Sequence, residues 1–272
     1  MRFSDHLTPA DAAVLETFVV PRYLSLFGEL ALEMLLAGAA GRVAHLGCRT
    51  GYPNQELLDR FDEVAIAAFD GSMAALDLAQ SMVASSEDVP IHYCHAEQLP
   101  LDIDEEQYSH VLSLHPLARE EDRAALFREA RRLLCPGGQL LVALPLRGSF
   151  QELGDLFKEY ALKHGQDDFG DRVERMMTRR PTIESLAEQL EAASLVDVDV
   201  EIRKTQLLFD SGRAFVDDPI TRLLVVPDLA KELDVDDLAE PIGYLRDAID
   251  RYWSEHQFDL TLNVGCASAR RA

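Results

Sequence analysis

Arg42-Val-Ala-His-Leu-Gly-Cys-Arg-Thr-Gly51 is the stretch of this 272-residue chain that decides its fold. The apolar run at 43–47 predicts a short buried strand, and Gly47 and Gly51 predict a tight turn after it. The next segment, 53–60, has the composition of a helix. Glycine leaves room where a side chain would intrude, so a strand, a glycine turn and a helix form a unit that brings the backbone close to a nucleotide.

Short apolar runs and helix-like segments alternate from residue 42 onwards. The apolar runs lie at 43–47, 64–69, 91–94, 110–114 and 139–145, and the helix-like segments at 53–60, 72–85 and 120–134. This alternation predicts an α/β, Rossmann-like fold with a mostly parallel sheet and helices on both faces, because parallel strands need a crossover between them. Period-two alternation predicts two further strands, at 195–202 and 258–264.

Helical segments flank the alternating region. Residues 1–40 predict an N-terminal helical cap that starts at Thr8-Pro9, is divided into two helices by Pro21, and ends at Gly38 to Gly41. Residues 206–256 are amphipathic and acidic and contain three prolines, so they predict a helical insertion or lid before the last strand. We therefore expect 1–272 to form a single domain with helical additions.

Composition restricts the class of partner. The chain has 26 basic and 48 acidic residues, a net charge of −22, and such a surface repels phosphate backbones, which argues against binding to bulk nucleic acid. No apolar run approaches the roughly 20 residues that span a membrane, and a signal-peptide pattern is absent, so we expect a cytoplasmic protein without membrane contact. The four cysteines form no CxxC pair, which predicts neither a metal site nor disulfides.

The order of motifs resembles that of class I S-adenosylmethionine-dependent methyltransferases over roughly residues 40–205. Five stretches carry the resemblance: 46–51, 64–73, Cys94-His-Ala-Glu-Gln-Leu-Pro100, Arg131-Arg-Leu-Leu-Cys-Pro-Gly-Gly138 and 190–198. Pro136-Gly137-Gly138 predicts the turn from a helix into the fifth strand. The resemblance implies S-adenosylmethionine as cofactor and methyl transfer to a small-molecule acceptor. The sequence leaves the identity of the acceptor and the oligomeric state open.

The resemblance also implies a set of site residues. Asp70 is expected to hold the ribose hydroxyls, because a carboxylate accepts two hydrogen bonds at once, and the alternative is that it caps the helix at 72–85. His115 is the candidate general base, and the alternative is a histidine satisfied by neighbouring backbone. The expected cofactor-binding residues are His45, Gly47, Cys48, Arg49, Gly51, Asp70, Gly71, His95, Ala96, Glu97 and Ser113.

Three of these residues depart from the family pattern, which has an acid, glycine and aspartate where this chain has His45, Arg49 and His95. A neutral His45 could accept one hydrogen bond from the ammonium of the cofactor, whereas a protonated one would repel it. Arg49 could pair with the methionine carboxylate, point outward or block the site. Two hypotheses stay open: methyl transfer, or a non-catalytic descendant that acts as a binding or regulatory module for a protein partner.

Overall fold

A computed structural model of the protein describes residues 7–83, 90–115 and 119–272. The strands are β1 (Ala40–Leu46), β2 (Glu63–Asp70), β3 (Ile91–His95), β4 (Tyr108–Leu114), β5 (Leu134–Pro145), β6 (Leu195–Phe209) and β7 (Phe258–Arg271). They form one sheet in the order β3-β2-β1-β4-β5-β7-β6. The pairs β1–β2, β2–β3, β1–β4 and β4–β5 are parallel, which confirms the predicted α/β class.

Helices connect these strands. They are α1 (Pro9–Val14), α2 (Ser25–Glu33), α3 (Asn54–Leu58), α4 (Met73–Val83), α5 (Glu120–Leu133), α6 (Gln151–His164), α7 (Asp167–Arg179), α8 (Ile183–Ala192), α9 (Gly212–Asp217), α10 (Val226–Leu233) and α11 (Ala239–Tyr252). Two π-helical segments, Leu15–Leu24 and Thr221–Val225, precede α2 and α10. Among the described residues, no helix combines the length and apolarity that crossing a bilayer demands.

The chain divides into two compact units. The first consists of Met1–Leu144, Ile183–Ile202 and Gly265–Ala272, and it holds β1 to β4 with their helices. The second consists of Pro145–Thr182 and Arg203–Val264, and it holds α6, α7 and α9 to α11. The expected single domain with a cap and a lid stays a prediction.

The N-terminal helical segment departs from expectation at Pro21, which lies inside the π-helical segment and does not divide the helix. Proline removes an N–H and crowds the carbonyl four residues earlier, and the wider π-helical turn accommodates this loss because its bonds do not follow the i→i+4 pattern. The start is as predicted, since Thr8 and Asp11 form a reciprocal capping box. The helix ends at Glu33, earlier than the predicted end at Gly38 to Gly41.

The predicted turn at Pro136-Gly137-Gly138 is wrong, because these residues belong to β5, which begins directly after α5. They form an irregularity in the pairing of β4 with β5, where the register shifts opposite Tyr108 and His110. A Cβ on Gly138 would lie 2.9 Å from the carbonyl oxygen of Ser109, so glycine is needed for this close approach.

The helical part of 206–256 begins later than predicted. β6 continues through Phe209, and α9 begins at Gly212. Leu207 and Phe209 are buried while Leu208 is exposed, so the alternation of a half-buried strand persists to its end.

Gln139 on β5 joins three segments of the first unit. Its Nε2 donates to the Met34 carbonyl at 2.9 Å and to the Ser268 hydroxyl at 2.8 Å. Its Oε1 accepts from the Leu36 amide at 2.9 Å. The side chain is 2% exposed, so these bonds replace water that it cannot reach. The end of α2 is thereby held to the sheet.

Replacing Gln139 with Met keeps the volume of the side chain but removes all three bonds. We expect the free energy of unfolding to fall by about 2 kcal/mol, because the buried partners are left without a bond. Urea unfolding followed by circular dichroism measures the change. Gln80→Met on the exposed face of α4 is the matched control and should change stability by less than about 0.5 kcal/mol. Equal effects of the two substitutions would contradict this role.

Candidate functional site

The candidate site lies at the carboxyl ends of β1 and β4. The strands β2 and β3 continue the sheet on one side of β1, while β4 and β5 continue it on the other. The strand order therefore reverses between β1 and β4, and such a point opens a crevice at the carboxyl edge of a parallel sheet. The turn after β1 and the residues that end β2 and β4 meet at this edge.

The turn after β1 depends on its glycines. The amides of Gly47 and Cys48 both donate to the Phe69 carbonyl, at 2.8 and 3.0 Å, which fixes the turn to the end of β2. Gly51 has a φ of +102°, and a Cβ there would lie 2.7 Å from the hydroxyl oxygen of Tyr93. Both its conformation and its close approach to Tyr93 therefore favour glycine.

Asp70 ends β2 and is fully buried. Its Oδ2 accepts from the Arg49 amide at 2.9 Å, and its Oδ1 accepts from the Ser72 amide at 2.8 Å. The carboxylate thus holds the glycine turn and the start of α4 at the same time. The cap of α4 is Ser72, whose hydroxyl accepts from the Ala75 amide at 3.4 Å, so Asp70 holds the capping residue and is not the cap itself. The ribose role of Asp70 stays a prediction.

His45 is buried on β1, and its Nδ1 lies 2.7 Å from the Asn54 Oδ1. Burial lowers the pKa of His45 to about 4, an effect that the bond to Asn54 and the charge of Asp70 only partly oppose. The ring is therefore neutral near pH 7, and the tautomer that carries its proton on Nδ1 would donate to the Asn54 oxygen. The other nitrogen, Nε2, is buried and has no hydrogen-bond partner among the described residues. It is an unused acceptor inside the turn.

Arg49 does not point outward. Its two terminal nitrogens donate to the carbonyls of Leu114 and His115, at 3.2 and 3.3 Å. The guanidinium therefore crosses from the turn to the end of β4. The backbone of Arg49 has a φ of +49°, which its amide bond to Asp70 helps to hold. Pairing with a carboxylate and blocking of the site both remain open.

His115 follows β4 and is buried. Its Nε2 lies 3.0 Å from the hydroxyl of Tyr23, and its ring packs edge-on against Phe27 with the centroids 5.4 Å apart. One partner of the ring is therefore the side chain of Tyr23, and the alternative of a histidine satisfied by neighbouring backbone stays open. Sequence reasoning missed Tyr23, because it lies in a helix whose apolar residues indicated only core packing.

The remaining expected residues also lie at this edge. Ser113 donates from its hydroxyl to the Leu46 carbonyl at 2.9 Å, which ties β4 to β1. His95 is exposed, and its Nε2 lies 3.2 Å from the Gly71 carbonyl. The Ala96 amide donates to the Asp70 carbonyl at 2.9 Å. Glu97 is exposed, whereas Cys48 is buried, and burial raises the pKa of its thiol.

Residues 43–138, which contain the turn and Asp70, match the family described as a methyltransferase domain. The matched segment makes up about a third of the chain. A malonyl-acyl-carrier-protein O-methyltransferase of Hahella chejuensis is 26% identical to this chain over 158 residues, which cover 58% of this chain and 53% of the relative. The chain thus spans about half the length of that curated relative.

Two solved structures share the fold of this chain. The YcgJ protein of Bacillus subtilis superposes with a TM-score of 0.59 at 11% identity, covering 91% of this chain and 99% of its own. Phosphoethanolamine N-methyltransferase 2 of Haemonchus contortus, solved in complex with S-adenosyl-L-methionine, has a TM-score of 0.59 at 16% identity and coverages of 97% and 57%. At these identities the likeness concerns the fold alone.

The neutral state of His45 makes stability depend on pH. The unfolded chain takes up a proton near the ordinary histidine pKa of about 6.5, whereas the folded site does so only near 4. His45 therefore contributes fully to the free energy of unfolding at pH values above its pKa in the unfolded chain. This contribution is lost as the pH falls towards 4. We expect the protonation of His45 to lower the free energy of unfolding by about 2 kcal/mol between pH 7 and pH 4.5.

Urea unfolding of the protein and of His45→Gln at both pH values measures this term. The variant should lose less stability on acidification by that amount, because glutamine does not titrate. Identical pH profiles would show that His45 is not held neutral in the folded protein.

Proposed function

We propose that this chain transfers a methyl group from S-adenosylmethionine to a small-molecule acceptor at the carboxyl ends of β1 and β4. One observation carries the proposal: the Gly47–Gly51 turn, tied to Asp70 at the point where the strand order reverses, falls inside the residues that match the methyltransferase domain. S-adenosylmethionine supplies a methyl group on a sulfonium, so that transfer requires alignment more than further activation.

Unused polar atoms in the turn support binding of this cofactor. The Nε2 of His45 and the hydroxyl of Thr50 are buried and have no partner among the described residues. Burying a polar atom without a hydrogen bond costs free energy. The ammonium of the methionine portion would donate to the Nε2 of His45, and its carboxylate would accept from the hydroxyl of Thr50. Asp70, which ends β2 beside the turn, would hold the ribose, and the segment His95–Glu97 would lie beside the adenine.

Arg49 would hold the methionine carboxylate. The positive charge of its guanidinium lies over two carbonyls at the end of β4, and N–H groups beyond those two bonds can fork onto a carboxylate. Arg49, in place of the usual glycine, would then add a charge-assisted bond to the cofactor. This bond would offset the one that is lost because His45 replaces the usual acid of β1.

The pair of His115 and Tyr23 would serve an acceptor that loses a proton on methylation. A neutral imidazole can take that proton, and the hydroxyl of Tyr23 at 3.0 Å from Nε2 would orient the ring. The curated relative is named an O-methyltransferase, which is consistent with an oxygen acceptor. Buried aromatic rings around the pair would exclude water from it.

Calorimetric titration with S-adenosylmethionine and S-adenosylhomocysteine tests the cofactor site. We expect binding, and we expect Asp70→Asn to weaken it by about tenfold to a hundredfold, the cost of one charge-assisted bond. Asp77→Asn on the exposed face of α4 is the control and should bind like the parent protein. Melting temperatures of both variants separate lost binding from lost folding. Absence of both heat and a thermal shift at millimolar cofactor would favour the non-catalytic alternative.

Arg49→Met distinguishes the two remaining roles of this arginine. If Arg49 holds the carboxylate, the variant should bind S-adenosylhomocysteine about tenfold more weakly and 5′-methylthioadenosine, which lacks the carboxylate, unchanged. If Arg49 blocks the site, both ligands should bind more tightly to the variant. Arg60→Met removes an exposed charge near the turn and serves as the control. The comparison is made by calorimetry at one ionic strength.

A further inference from the structure

The second unit contains a cavity of about 170 Å³ that the proposed function does not use. Its wall combines apolar side chains with two basic residues and one acid: Arg147, Phe150, Met176, Met177, Arg180 and Glu232. A dry cavity of about 150 Å³ is large enough for a benzene molecule, so this space suits a small organic ligand. Methionine side chains adapt to the shape of such a ligand at low cost.

Arg180 and Glu232 form a buried ion pair in this wall. One terminal nitrogen of Arg180 lies 2.7 Å from the Oε1 of Glu232, and the two side chains are only 5% and 2% exposed. The second carboxyl oxygen, Oε2, is buried and has no partner among the described residues. Leaving such an oxygen unbonded costs about 1–3 kcal/mol, so the arrangement is poorly explained by stability alone.

The guanidinium of Arg180 also contacts an aromatic ring. Its Cζ lies 4.8 Å from the centroid of the Phe150 ring, an attractive cation–π contact. Phe150 itself has a φ of +60°, a left-handed conformation that is strained for a bulky residue. The strained backbone thus places an aromatic ring where it orients the arginine. Within the part of the chain that the structure describes, the hydrogen bond to Glu232 is the one that the Arg180 side chain makes.

We infer that this cavity binds a small apolar molecule that carries a planar carboxyl or carboxamide group. The free N–H groups of Arg180 would donate to an oxygen of that group. Its second polar atom would meet the Oε2 of Glu232: an amide N–H would donate to the carboxylate, or a ligand carboxylate would accept from the protonated acid. The apolar body would lie among Phe150, Met176 and Met177. This site does not depend on methyl transfer.

Both protonation states of Glu232 are within reach near neutral pH. Burial raises the pKa of Glu232 to about 7, with the charge of Asp228 acting in the same direction and Arg180 and Arg179 acting against it. Arg147 is the other charged residue of the wall. A ligand carboxylate would therefore bind together with a proton, whereas a carboxamide would require the ionised form.

Titrations of benzoate, benzamide and toluene, followed by ligand-observed NMR at pH 6 and pH 8, test the site without any cofactor. Benzoate stays ionised over this range, so its affinity should fall about tenfold from pH 6 to pH 8 as Glu232 loses its proton, and that of benzamide should rise by up to about tenfold. Binding of either supports the proposal and identifies the preferred group. Failure of both at millimolar concentration, or equal binding of toluene, would overturn it.

Two variants place the binding at this pair. Glu232→Gln should remove the pH dependence of benzoate binding and weaken benzamide, because the amide of glutamine donates where the carboxylate accepted. Arg180→Met combined with Glu232→Leu removes both charges of the pair, and replacing both partners of a buried ion pair with apolar residues often leaves stability unchanged. The double variant should therefore lose ligand binding with little change in melting temperature. Arg175→Met on the exposed face of α7 is the control. Retained binding in the double variant would overturn the assignment.

Discussion

The buried carboxylate of Asp70 is the constraint on which the candidate site depends. A carboxylate removed from water must be compensated by hydrogen bonds, and Asp70 receives them from the amides of Arg49 and Ser72. Since Arg49 belongs to the turn and Ser72 precedes α4, one side chain fixes both elements to the end of β2. The left-handed backbone of Arg49 follows from this bond, and from there its guanidinium reaches the end of β4.

The fold was largely predictable because its signals are local. Buried parallel strands read as apolar runs, and those of β1 to β5 stand out between helical segments. The errors lie where a contact elsewhere decides the local structure. Pro21 lies within a π-helical segment, and Gly138 lies within a strand at a point where the carbonyl of Ser109 approaches it closely. Neither effect leaves a periodic pattern in the sequence.

The location of the candidate site was predictable, but its chemistry was not. The glycine turn and Asp70 follow from motif order alone. The charge of His45 depends on complete burial and on Asn54, and the direction of Arg49 depends on carbonyls at the end of β4. Tyr23 joins His115 across 92 positions of sequence, a separation over which no spacing rule operates. These features come from tertiary contacts that a single sequence does not encode in any short pattern.

The division of the first unit into three stretches has a consequence for how the protein folds. Its sheet needs the last of those stretches, because the hydroxyl of Ser268 accepts from the buried Gln139. During synthesis, β5 therefore lacks this buried hydrogen bond until residue 268 has left the ribosome. Until then the growing chain exposes apolar surface and unpaired strand edges, so production of this protein should respond to chaperone supply and to the speed of translation.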